Sequence, residues 1–202
     1  MDATASPEQR ILDAAARCLV SKGYAGTSLR QIAAEAGVAL GLLHYYFRSK
    51  DDLLLALVSR TIRRNIDSLH NALGAARSST EHLHLGLQGI RRDLERNRDD
   101  HVLLLELVVL ALRKPAIAEK LRELYGELLE AVTVECRRAV EELGVRAHPE
   151  FNPRVLATAL VGMHVGLAIQ LLLDPGNRAA LRGMDAITGI LEATGCYSDP
   201  PR

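Results

Sequence analysis

The chain has 202 residues, enough for one large core or for a small module joined to a larger one, and its 25 basic side chains balance 25 acidic ones. Taken globally, zero net charge speaks against a nucleic-acid partner, so any such partner requires a local charge excess. Cys18, Cys136 and Cys196 are odd in number and form no CxxC, which excludes a disulfide framework and a zinc knuckle and fits a reducing cytoplasm. The opening MDATASPEQR has no basic segment followed by an apolar stretch, so no signal peptide is expected.

No run alternates apolar and polar residues with β-branched enrichment, and Leu, Ala, Arg and Glu dominate, which predicts an all-α fold. The first helix begins at Pro7, with Ser6 as cap and Glu8 near the positive end of the dipole. Its apolar stripe is Ile11, Ala15, Cys18 and Leu19, and Gly23 ends it. Ser28 and Gln31 match a capping box that opens a short second helix, buried through Leu29, Ile32, Ala33 and Ala36 and stopped by Gly37. A third short helix covers Leu40 to Phe47. Ser49 caps a fourth that runs to about Ala76. Longer helices are predicted over 80–97, 100–113, 115–143, 153–173 and 178–194, with Gly144, Pro149, Pro153 and Asp174-Pro-Gly176 as punctuation and a frayed tail from Ser198. The expected domains are a three-helix module at 7–52 and a larger helical domain at 53–197.

The informative stretch is Thr27 to Lys50. Two short helices separated by so few residues cross steeply only if the contact residue is small and the turn takes a left-handed conformation, which Ala33 and Gly37 provide. Val38 and Leu43 then plug the space between the helices and leave positions 39–42, 44 and 45 outward, as a helix meant for a major groove requires. Residues 7–64 carry nine Lys and Arg (10, 17, 22, 30, 48, 50, 60, 63, 64) against five Asp and Glu (8, 13, 35, 51, 52), the local excess that the net charge conceals.

From Ile11 to Leu54 the chain resembles the DNA-binding domain of the TetR family of bacterial transcriptional regulators. Gly23-Tyr24, Thr27-Ser28, Ile32-Ala33, Ala36-Gly37-Val38, Gly41, Tyr46-Phe47 and Ser49-Lys50 all stand in family register. The resemblance implies a helix-turn-helix in which Arg30, Leu40, Gly41, Leu42, His44, Tyr45 and Tyr46 approach DNA. It also places Lys50 on a phosphate, with Ser28 able to join it through its hydroxyl. Of these, Arg30 is the best base reader, because a guanidinium fork matches the two acceptors of guanine. The sequence departs from the family at Ala39, Leu40 and Leu42, where Ser, Lys and Thr are frequent. The leucines then either touch thymine methyl groups or pack inside the domain.

In the larger domain, Val155 to Leu173 holds nineteen residues without a charged side chain, long enough for a membrane span. His164, Gln170 and Thr158 dilute the run and no aromatic belt flanks it, so a helix buried between its own core and a twin subunit is expected instead. Gly162 and Gly166 allow close approach. The last helix adds Leu181, Met184, Ile187, Ile190 and Leu191, so helices 153–173 and 178–194 are expected to form a homodimer, and two recognition helices then face a palindromic double-stranded operator. Polar residues stranded in this domain, His101, Glu106, Tyr125, His164 and Gln170, are the candidates for contact with an unknown small-molecule effector.

Other chemistry is absent from the sequence. Glu81, His82 and His84 hold no metal, since residues two apart on a helix point to different sides, and no nucleophile elbow, phosphate loop or carboxylate pair appears. The expectation is a cytoplasmic, cofactor-free, non-enzymatic repressor released from DNA by a ligand. Its alternatives are an activator, a regulator answering to a protein partner, and a helical ligand-binding protein without DNA function.

Overall fold

A computed structural model of the chain describes residues 6–141 and 152–193; the side chains at 79, 80, 184, 185, 187, 188 and 190–193 lie outside the description. Every described element is helical: α1 (Pro7–Gly26), α2 (Leu29–Ala36), α3 (Leu40–Tyr46), α4 (Lys50–Leu73), α5 (Ser79–Arg96), α6 (Arg98–Ala111), α7 (Pro115–Glu141), α8 (Pro153–Leu173) and α9 (Arg178–Ala193). Gly144, Pro149, Cys196, the tail from Ser198 and four stripe residues of the last helix (Met184, Ile187, Ile190, Leu191) fall outside the described residues or side chains. The other two cysteines, Cys18 and Cys136, are free thiols.

The chain divides into two compact units. The first comprises residues up to Ile62 together with Asp99–Leu124, and the second comprises Arg63–Arg98 and the residues from Tyr125 onward. In the first, α1 packs on α2 and α3, and Ile11, Leu19, Ile32, Leu43, Leu53, Leu54 and Leu57 are its largest fully buried side chains, with Leu107. Local chemistry dictates this path. Ser6 accepts from the Gln9 amide at 3.2 Å to start α1. Gly23 breaks it with φ 68° and ψ 171°, a backbone region that essentially only glycine occupies. Thr27, buried just beyond, shares its hydroxyl between the carbonyls of Cys18 at 3.0 Å and Gly23 at 2.9 Å. The capping box of α2 is complete, and Gly37 at φ 64° closes the helix by donating to the carbonyls of Ala33 and Ala34.

In the second unit, Leu83, Leu87 and Leu94 of α5 meet Ala168 of α8, with Ile90, Leu167 and Leu171 around them. The fourth helix ends at Leu73, three residues before the sequence-based limit, with Gly74 next in the chain, and Arg138 of α7 donates to the carbonyls of Leu73 and Ala76 at 2.6 and 3.0 Å. Helix α8 is the one described helix long and apolar enough to cross a membrane. Along it, Val155, Thr158, Ala159, Gly162, Ile169, Gln170 and Leu173 are exposed at helical spacing and form a single outward face.

Candidate nucleic-acid interface

Because α3 is only seven residues long and is held from behind by Leu43, which is fully buried, its remaining side chains are driven outward. Gly41, Leu42, His44, Tyr45 and Tyr46 are exposed, while Leu40 is half-buried. Leu42 therefore does not pack inside the domain: it is 37% exposed and presents an apolar surface in the middle of the face. Tyr45 is 80% exposed and stands edge-on to Tyr46 at 5.1 Å between ring centroids. Phe47 behind them is buried, so of the three consecutive aromatics one anchors and two are displayed.

On α2, Arg30 is exposed and has no hydrogen bond or ion pair with any described residue, leaving its guanidinium fork open to a ligand. Ser28 is exposed but already occupied, since its oxygen accepts from the Gln31 amide at 3.3 Å and its hydroxyl donates to Gln31 Oε1 at 2.9 Å. Two ion pairs brace the frame behind this face. Arg17 to Glu35 at 2.9 Å ties α1 to α2, and Arg60 to Asp13 at 2.9 Å ties α4 to α1.

Lys50 occupies a different kind of position from the other candidates. Its ammonium donates to the carbonyl of Tyr24 and, at 2.6 Å, to that of Thr27, and it lies 4.0 Å above the Tyr24 ring centroid. Two of its three protons are thus committed to the turn between α1 and α2. Around it a charged junction assembles. The Tyr24 hydroxyl donates to Asp51 Oδ1, Lys114 Nζ donates to Asp51 Oδ2 at 2.6 Å, and Glu106 Oε1 accepts from the Tyr24 amide at 3.2 Å. Burial pushes the Tyr24 phenol well above its ordinary pKa, reinforced by Asp51. Burial lowers Lys50, against the pull of Asp51 and Glu106. Burial alone would raise Asp51, but hydrogen bonds from Lys114 and Tyr24 outweigh it and hold the carboxyl below its usual value.

The five effector candidates are divided between the two units. Glu106 belongs to this junction and His101, buried on the same helix, also lies in the first unit. Tyr125, His164 and Gln170 lie in the second. There Tyr125 is half-buried with its pKa raised by burial, His164 Nε2 sits 2.8 Å from Asp93 Oδ2, and Gln170 is exposed on the outward face of α8. Tyr24, Asp51 and Lys114 were not legible as site residues, because their partners lie 27 to 82 residues away and no local pattern announces such pairing.

Comparison with known proteins adds two family profiles. Residues 11–57 match the profile described as bacterial regulatory proteins, tetR family, and residues 79–194 match that of the C-terminal part of BetI-type transcriptional repressors. The HTH-type transcriptional regulator BetI of Brucella anthropi is 35% identical over 75 residues, 37% of this chain and 39% of that protein. The nicotine-responsive transcriptional repressor HdnoR of Paenarthrobacter nicotinovorans is 25% identical over 181 residues, 86% of this chain and 88% of its own. The first two curated relatives are matched over only 42% and 39% of their length. A transcriptional regulator from Saccharomonospora viridis, solved in complex with choline, superposes with a TM-score of 0.71 at 25% identity, covering 91% of this chain and 94% of that one.

Proposed function

This chain belongs to the tetR family of bacterial regulatory proteins, and from that membership we propose that it is a cytoplasmic, homodimeric repressor whose small-molecule effector releases it from a palindromic operator. The observation that carries the reading is the outward face of α3 beside an open Arg30. Arg30 reads a guanine, while Tyr45 and Tyr46 donate to phosphates and His44 joins them on the same face. Leu40, Leu42 and the bare backbone of Gly41 meet thymine methyl groups and the groove wall, so much of the specificity comes from duplex shape. Ser28 gives what its cap leaves free. Lys50 holds the turn that presents α2 and lends its remaining proton to a phosphate.

Dimerisation supplies the twofold symmetry that a palindrome mirrors. The exposed face of α8, with Gly162 and Gly166 free of any neighbour within 4 Å of an added Cβ, favours a close helix pair there, and α9 completes the interface. Paired in this way, α8 needs no membrane to cover it.

Within the first unit, Glu106 of α6 and Lys114 just before α7 grip the α1–α2 turn and the start of α4. An effector that shifts α6 therefore moves the DNA-binding helices directly. Coupling is reciprocal, so that effector binds less well to the DNA-bound form. Selection of bound duplexes from a random pool, followed by anisotropy titration, tests the reading. The expected outcome is a palindromic site bound with strong salt dependence, with Arg30→Ala changing preference at one position per half-site and Lys50→Ala weakening every sequence alike. Absence of any salt-sensitive, sequence-dependent binding overturns it.

A further inference from the structure

In the second unit the end of α4 and the residues that lead on from it toward α5 meet Arg138 of α7. Its guanidinium faces the carbonyls that terminate α4, with Nη1 2.6 Å from Leu73 O and Nη2 3.0 Å from Ala76 O. Glu135, one turn earlier on α7, is 6% exposed, yet its two oxygens stand 3.9 Å from the nearest cations, Oε1 from His70 Nε2 and Oε2 from Arg138 Nη1. Both separations are too long for hydrogen bonds, and Oε2 has no hydrogen-bond partner among the described residues. His82 on α5 is 7% exposed, and its Nδ1 likewise has none.

Two orphaned polar groups so deeply buried are a costly arrangement for a fold to keep, and their chemistry says what would relieve them. A carboxylate only accepts. Burial, together with the positive charge of Arg138, lowers the pKa of His82 and keeps the ring neutral, so in one of its tautomers Nδ1 accepts as well. Both groups therefore call for donors, and the buried negative charge of Glu135 calls for a cation. A protonated primary or secondary amine brings positive charge and two N–H bonds in one group. A quaternary ammonium brings no N–H and can donate to neither group.

We propose that Glu135 Oε2 and His82 Nδ1, flanking Arg138, form the recognition point for the effector's protonated amine, so that this regulator answers to primary or secondary ammonium compounds and not to quaternary ones. This assignment rests on the ligand-responsive reading above and sets the chain apart from the choline-bound relative. None of the five effector candidates read from the sequence belongs to this group.

Isothermal titration of the full-length protein with pyrrolidine and with N,N-dimethylpyrrolidinium tests it, alongside hexylamine and hexyltrimethylammonium. The expected result is saturable binding of the two N–H-bearing cations only, weakened about ten- to a hundredfold in Glu135→Gln, as for loss of a charged hydrogen bond, with helicity retained. Equal binding of the quaternary partners, an unaffected Glu135→Gln, or no amine binding at millimolar concentration overturns the assignment; the last is the result expected if a buried water satisfies both groups. Operator affinity measured in parallel separates the two readings. Release from DNA by neutral or anionic compounds alone sinks the amine site and leaves the repressor standing, whereas amine selectivity in a protein that binds no DNA upholds the site and removes the repressor.

Discussion

At the scale of single residues, the junction around Asp51 makes a definite statement about pH. The Asp51 carboxyl has a depressed pKa in the fold, so its contribution to stability is present above its ordinary value of 3.8 and is lost as pH falls through the lower folded value. Tyr24 works at the other end: its phenol is raised, so its contribution holds below 10.0 and is lost as pH climbs past that point. The junction is therefore intact between these limits and weakens beyond each. Thermal unfolding of the wild type followed downward from pH 5 is expected to show the acid loss, and Asp51→Asn is expected to flatten that part of the profile. An identical acid slope in the variant would place the effect elsewhere. Of these residues, only Lys50 and Glu106 were read from the sequence as site candidates, and for other reasons. Lys50 stood in family register and Glu106 interrupted an apolar run, whereas what joins them is the Tyr24 backbone, which no side-chain pattern encodes.

At the scale of elements, what was legible was what is local. The capping box at Ser28 and Gln31, the left-handed Gly37 and the burial of Leu43 all follow from residues within a few positions of one another, and each is found in the structure. The spacing put Leu42 outward without closing the alternative that it packs inside, because periodicity over seven residues does not decide which edge of a short helix is covered. The end of α4 falls three residues before the sequence-based limit, and the group that caps its last carbonyl, Arg138, comes from 65 residues further on. Gly23 lies between these cases: its position as a helix stop was readable, but its neighbour was not. A Cβ there would meet Glu106 Oε1 at 3.3 Å on a backbone at φ 68°. Gly23→Ala is thus expected to cost roughly 1–3 kcal/mol, measurable by denaturant titration, and to loosen operator binding by disturbing the turn that Lys50 and Glu106 both hold.

At the scale of the molecule, each of the two units has a face that no described residue covers. For α8 the expected partner is its own twin. Ala159→Arg, in the middle of the exposed face, is expected to convert the dimer to monomer in sedimentation and to abolish specific binding, because one recognition helix alone has too little affinity. A dimer unchanged by that substitution would move the interface elsewhere. The face of α3 has a consequence of a different sort, for how the protein can be watched. The chain contains no tryptophan and five tyrosines, two of them, Tyr45 and Tyr46, side by side where DNA is proposed to lie. Tyr24 points its hydroxyl at a carboxylate, an arrangement that favours loss of its excited state by proton transfer. The ultraviolet emission of the unlabelled protein therefore includes the very residues that stacking against a duplex would darken, and a drop in tyrosine emission becomes an optical report of the bound state.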